Sequence, residues 1–63
     1  MVKINIKIRN FRKKAGITQT ALAEAVGVNQ SMVAHYESGF KMPSVPVLAR
    51  IAKELKVKID DLI

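Results

Sequence analysis

The stretch Val26-Gly27-Val28-Asn29-Gln30 holds a helix stop and a helix start within three positions. Gly27 is placed to take the left-handed conformation that ends a helix, and Asn29 is among the strongest N-cap residues. Two helices joined by so short a link must meet at a sharp angle. Upstream, Thr18 is a good N-cap, with Ala21, Leu22, Ala25 and Val26 supplying an apolar stripe. Downstream, Val33 and Tyr36 face inward and Ser38-Gly39 closes the second helix. The spacing predicts a helix-turn-helix over about residues 18–37.

The rest of the chain also reads as helix. "MVKINIKI" alternates like a strand, yet Ile4, Ile8, Phe11 and Ala15 stand at helical spacing and no second strand offers a partner. A helix is predicted from about Asn5, as cap, to Lys14, with residues 1–4 extended or helical; Gly16 stops it. Lys41, Met42 and Pro43 form a loop, and Ser44 caps a fourth helix that tolerates Pro46 in its first turn. Leu48, Ile51, Ala52 and Leu55 are its buried face. Val57, Ile59, Leu62 and Ile63 predict a last turn or helix, with Asp60 and Asp61 capping it. The reading is all-α and a single domain over residues 1–63. A chain of 63 residues without cysteine buries only about 60% of its unfolded surface and must rely on close apolar packing.

Charge narrows the partner. Eleven Lys and Arg against five Asp and Glu give a net charge of +6. Lys3, Lys7, Arg9, Arg12, Lys13 and Lys14 crowd the first 14 residues with no acid among them. Such a field favours a polyanion, although a lysine-rich solubilising surface accounts for charge alone nearly as well. No apolar run reaches the roughly 18 residues of a membrane span, and residues 1–14 lack a signal peptide's apolar stretch. The lack of cysteine fits a reducing compartment, so the expected location is cytoplasmic.

Burial of Val28, Val33 and Tyr36 leaves Gln30, Ser31, Ala34 and His35 on the outer side of the third helix, behind Asn29 at its front. That face is neutral, short and hydrogen-bonding, where a solvated face would carry Glu and Lys. Amides and hydroxyls that read base edges, with small residues for close approach, suit a DNA groove. The amide and hydroxyl tips are expected to point outward with no partner inside the chain.

The stretch "GITQTALAEAVGVNQSMVAHYESGFKMP" resembles the helix-turn-helix core of the phage repressor and Cro family, also called the xenobiotic-response-element family. Thr-Gln, Leu-Ala, Gly-Val, Tyr-Glu-x-Gly and the following Pro match in register. The likeness extends through "IRNFRKKAG", "LARIAKELKV" and "DDLI". It implies a compact bundle of five short helices, lambda-repressor-like, with the third helix in the major groove of double-stranded DNA. Carried over by position, Asn29, Gln30, Ser31, Ala34 and His35 face bases. Thr18, Gln19, Ser38, Phe40 and Lys41 lie toward phosphates, and Arg12 pairs with Glu37. A transcriptional regulator is implied, a repressor rather than an activator, bacterial or phage-encoded, with a homodimer on a pseudo-palindromic operator. Lys58 departs from the Ser or Thr cap usual before the last helix, and Ala21 and Ala25 from charged residues usual on the second.

Other readings are weaker. Ser31 and His35 lie one turn apart, but no third group completes a nucleophilic triad, so no enzyme is expected. One histidine without cysteine is no metal site by spacing, and no cofactor is expected. Met32 and Met42 read as core or rim filling. The chief rival is an antitoxin-like or adaptor module that turns the same face to a protein, for which aromatic or Met anchors are expected. A basic Lys3–Lys14 segment on a membrane ranks last, because Ile8 and Phe11 are needed in the core.

Overall fold

In the computed structural model, which describes residues 3–63, five helices follow one another: α1 (Ile4–Ala15), α2 (Gln19–Val26), α3 (Gln30–Ser38), α4 (Val45–Glu54) and α5 (Ile59–Leu62). No strand occurs among the described residues. Residues 1 and 2, where the start of the alternating stretch falls, lie outside them. Lys3 is extended and is the N-cap of α1, so the helix begins two residues earlier than an Asn5 cap would set it. Asn5 does not cap: its amide donates to the Glu37 carbonyl at 3.4 Å, tying α1 to the end of α3.

The predicted caps organise the middle of the chain. Thr18 Oγ1 accepts from the Ala21 N–H at 3.0 Å, and Ser44 Oγ from that of Val47 at 3.4 Å. Gly27 takes φ 88°, a region where a side chain is strained. There its N–H and that of Val28 both reach the Ala23 carbonyl, at 2.9 and 3.0 Å, closing α2 before Asn29 opens α3. Gly39, at φ 84°, is tighter still, since a Cβ there would meet the Asn5 amide nitrogen at 3.3 Å.

Ile8, Leu22, Val33, Ile51 and Leu62 are the largest fully buried side chains, joined in the core by Ala23, Val26, Tyr36, Leu48, Ala52 and Leu55. All five helices contribute to the core, and α3 packs chiefly against α1 and α2. One expectation fails here. Ala21 and Ala25 are exposed, and the buried stripe of α2 is Leu22, Ala23 and Val26. Alanine is apolar enough to fit either face, so residue type does not choose between them; the neighbouring helices do. Ala15 is exposed as well, and Met42, expected in the core or at its rim, is 68% exposed, whereas Met32 packs against the core. Lys58 gives α5 no side-chain acceptor. Asp61 answers from the other direction, its carboxylate accepting the Lys58 N–H at 3.0 Å.

No helix among the described residues is long and apolar enough to cross a membrane.

Candidate nucleic-acid interface

Packed chiefly against α1 and α2, α3 keeps one long side open. Asn29, Gln30 and Ser31 are exposed there, and Ala34 and His35 are half-buried further along. Exposure matches the expectation for the front of α3, but freedom from partners does not. Asn29 Oδ1 accepts the Met32 N–H and the Ser31 hydroxyl, both at 2.9 Å. Gln30 Nε2 donates to Gln19 Oε1 at 2.7 Å. The cap and the short link bring these groups within reach of one another, so they hold one another in fixed orientations while remaining at the surface. Ser31 spends its proton on Asn29, not on His35 one turn away.

The Asn29 carbonyl thus serves α3, and its NH2 end is left outward. Asn29→Ala should cost about 1 kcal/mol and Asn29→Asp, which retains the acceptor, clearly less. Chemical denaturation of both variants measures the difference.

Behind this face lies a nearly dry polar network. Arg12 Nε donates to Glu37 Oε2 at 2.6 Å and Nη2 to Oε1 at 3.1 Å, a two-point pairing with side chains only 11% and 4% exposed. The remaining Arg12 nitrogen, Nη1, donates to the Ile17 carbonyl at 2.8 Å, fixing the approach to α2. Glu37 Oε1 also accepts Gln19 Nε2 at 3.1 Å. Gln19, assigned by position to a phosphate, therefore sits half-buried between Glu37 and Gln30. Among the described residues no buried side-chain nitrogen or oxygen lacks a partner. No cluster of three His, Cys, Asp or Glu among them is placed to hold a metal.

At the far end of α3 the loop folds back on the helix. Ser38 Oγ donates to the His35 carbonyl at 3.1 Å and accepts the Phe40 N–H at 3.3 Å, while the Lys41 N–H reaches the same carbonyl at 3.2 Å. The Phe40 ring, 72% exposed, leans on His35 with centroids 4.9 Å apart. Lys41 and the Thr18 cap are exposed at either end of the face.

Sequence reasoning left Arg9 and Lys13 in a general basic field. The structure brings them with Arg12 to the rim of a shallow cleft shared with Gln19, Ala34, Glu37 and Ser38. The signal was present: positions 5, 9, 12 and 13 form one stripe of a helix, and pairing Arg12 with Glu37 turns that whole stripe toward α3.

A helix set across its predecessor with one polar side open and basic residues around it is the arrangement that a groove-reading helix needs. Residues 8–62 match the helix-turn-helix family model. The chain belongs to this helix-turn-helix family, of the Cro/C1 type. The member is 39% identical over 56 residues to an uncharacterized HTH-type transcriptional regulator of Archaeoglobus fulgidus, covering 89% of this chain and 80% of that relative. It is 34% identical over 61 residues to the cryptic phage CTXphi transcriptional repressor RstR of Vibrio cholerae, covering 97% of this chain but only 54% of RstR. Its fold superposes on the P22 c2 repressor in complex with synthetic operator 9T with a TM-score of 0.94 and 30% identity, covering 100% of this chain and 96% of that one. The restriction-modification controller protein C.AhdI of Aeromonas hydrophila gives a TM-score of 0.92 at 27% identity, covering 98% and 94%. As a family member this chain has the five-helix, lambda-repressor-like fold that the resemblance implied.

Proposed function

We propose that this chain represses transcription by occupying an operator with α3 in the major groove. As a helix-turn-helix regulator it binds double-stranded DNA by sequence. Asn29, Gln30, Ser31, Ala34 and His35 read base edges. Thr18, Lys41 and Ser38 border the backbone, joined by Arg9 and Lys13; Phe40, carried over to the backbone by position, is given instead to a protein contact. The observation that carries the reading is the exposed amide and hydroxyl front of α3, held in place by hydrogen bonds and flanked by basic side chains. The chain acts as a binder, not as an enzyme, in a DNA-accessible compartment such as the cytoplasm.

A single unit of this size offers little contact area, so two copies on half-sites about one helical turn apart suit it. Phe40, Met42 and Val45 follow α3 as exposed apolar side chains, each about 70% accessible. They are the kind of anchor that a protein partner needs, and we assign them to a second copy of this chain. An antitoxin-like or adaptor partner would use the same three residues, and would then bind without DNA.

Gln30→Ala should weaken binding to the selected operator by roughly 1–3 kcal/mol and relax preference at one base pair. Lys41→Ala should weaken all sequences alike and lower the salt slope by about one unit. Selection from a random duplex pool, followed by titration at several salt concentrations, tests both. Equal losses on operator and random DNA for Gln30→Ala would count against base reading by α3.

A further inference from the structure

The start of α1, the loop after α3 and Ile63 enclose a cavity of about 570 Å³, a size that suits a small molecule. Ile4, Tyr36, Met42 and Ile63 give it apolar walls. Lys3 and Lys41 stand on its border, and no acidic side chain is among its described lining residues. Lys7 Nζ donates to the Ile63 carbonyl at 2.7 Å, which fixes that wall against α1. Tyr36 supplies the deciding observation. It is only 7% exposed and its ring belongs to the core. Yet its hydroxyl makes no hydrogen bond among the described residues. No buried side-chain oxygen among them lacks a partner. The hydroxyl therefore reaches open space, and Tyr36 borders this cavity. A phenol in a mostly buried setting ordinarily finds a partner, and this one has its donor to give.

We propose that the cavity binds a small apolar carboxylate and that its occupation opposes operator binding. The carboxylate accepts from the Tyr36 hydroxyl and pairs with the Lys3 and Lys41 ammonium groups, while the apolar chain covers Ile4, Met42 and Ile63. Each half of the ligand answers a different wall: the two lysines repel a cation, and an inorganic anion leaves the apolar surface wet. The opposition to DNA rests on the reading of Lys41 as a backbone contact. A lysine neutralised by a carboxylate no longer draws a phosphate, so ligand and operator compete for one charge.

Octanoate tests the site without DNA. Followed by amide shifts, it should bind saturably with the changes centred on Ile4, Tyr36, Met42 and Ile63. Octylammonium, which inverts the charge, and acetate, which lacks the chain, should each bind at least about tenfold more weakly. Tyr36→Phe keeps the ring in the core and should weaken octanoate roughly tenfold; Lys3→Met should weaken it about threefold. Absence of saturable octanoate binding, equal binding of octylammonium, or shifts centred elsewhere overturns the proposal. An octanoate affinity that falls as the chain is concentrated gives the cavity to a second copy and overturns it as well. Saturating octanoate should raise the Kd for operator about fivefold or more, and operator should weaken octanoate by the same factor. Tyr36→Phe should bind operator within about twofold of wild type and need roughly tenfold more octanoate for the same response. An operator Kd unmoved by bound octanoate overturns the opposition to DNA. A wild-type chain that binds operator no better than random duplex is a separate result, against the reading of α3.

Discussion

Glu37→Gln should lower the free energy of unfolding by about 3 kcal/mol, near the lower edge of what loss of one partner in a buried pair costs. For a domain of this size that corresponds to a fall in melting temperature of more than about 10 °C. The size of the effect comes from Arg12. Its side chain is 11% exposed and directs two nitrogens at the carboxylate, so the substitution strands a desolvated charge beside a neutral amide. A surface pair would be worth under about 1 kcal/mol. Thermal unfolding by circular dichroism separates the two cases, and an unmoved midpoint contradicts the buried pairing.

A second variant distinguishes the cost of a stranded charge from the worth of the pair. Arg12→Met combined with Glu37→Leu removes both charges and fills the space with carbon, an exchange that is often neutral or better in other proteins. Here recovery should be partial, at least half of the loss. The Ile17 carbonyl and the Gln19 amide lose their partners, but both residues are half-buried and water can serve them at small cost.

The chain's punctuation was legible because it is chemical. Thr18, Asn29 and Ser44 cap because a short side-chain oxygen meets a free N–H, and Gly16, Gly27 and Gly39 end helices because their φ is positive. Where punctuation lacked its usual residue, it was hidden. The end of α4 has no glycine: Lys56 takes φ 58°, and the N–H groups of Lys56 and Val57 close onto the Lys53 and Ala52 carbonyls. Which alanines of α2 are buried was likewise hidden, since a methyl group carries too little preference to be read without the packing partner. In the candidate site the identity of the polar residues could be read, but their mutual bonds could not. Gln19 and Gln30 lie 11 positions apart, and only the angle between α2 and α3 makes them neighbours.

Leu22→Ala is the sharpest test of the fold behind the site. Leu22 is fully buried and lies on α2, which packs against both α3 and α4. Truncation should cost about 3 kcal/mol, lost transfer energy plus the cavity left behind. A domain of 63 residues has roughly 3–9 kcal/mol in all, so the variant keeps about 0–6 kcal/mol, and at its own lowered melting midpoint half of it is unfolded. If DNA binds only the folded chain, operator duplex at 100 times its Kd restores about 2.7 kcal/mol, nearly the whole deficit. Leu22→Ala should therefore gain helical circular dichroism when operator is added, and gain little with random duplex at the same concentration. A partner that held the folded chain through Phe40, Met42 and Val45 would give no such dependence on DNA sequence. The one titration thus reports both how α2 is anchored and what the finished surface is for.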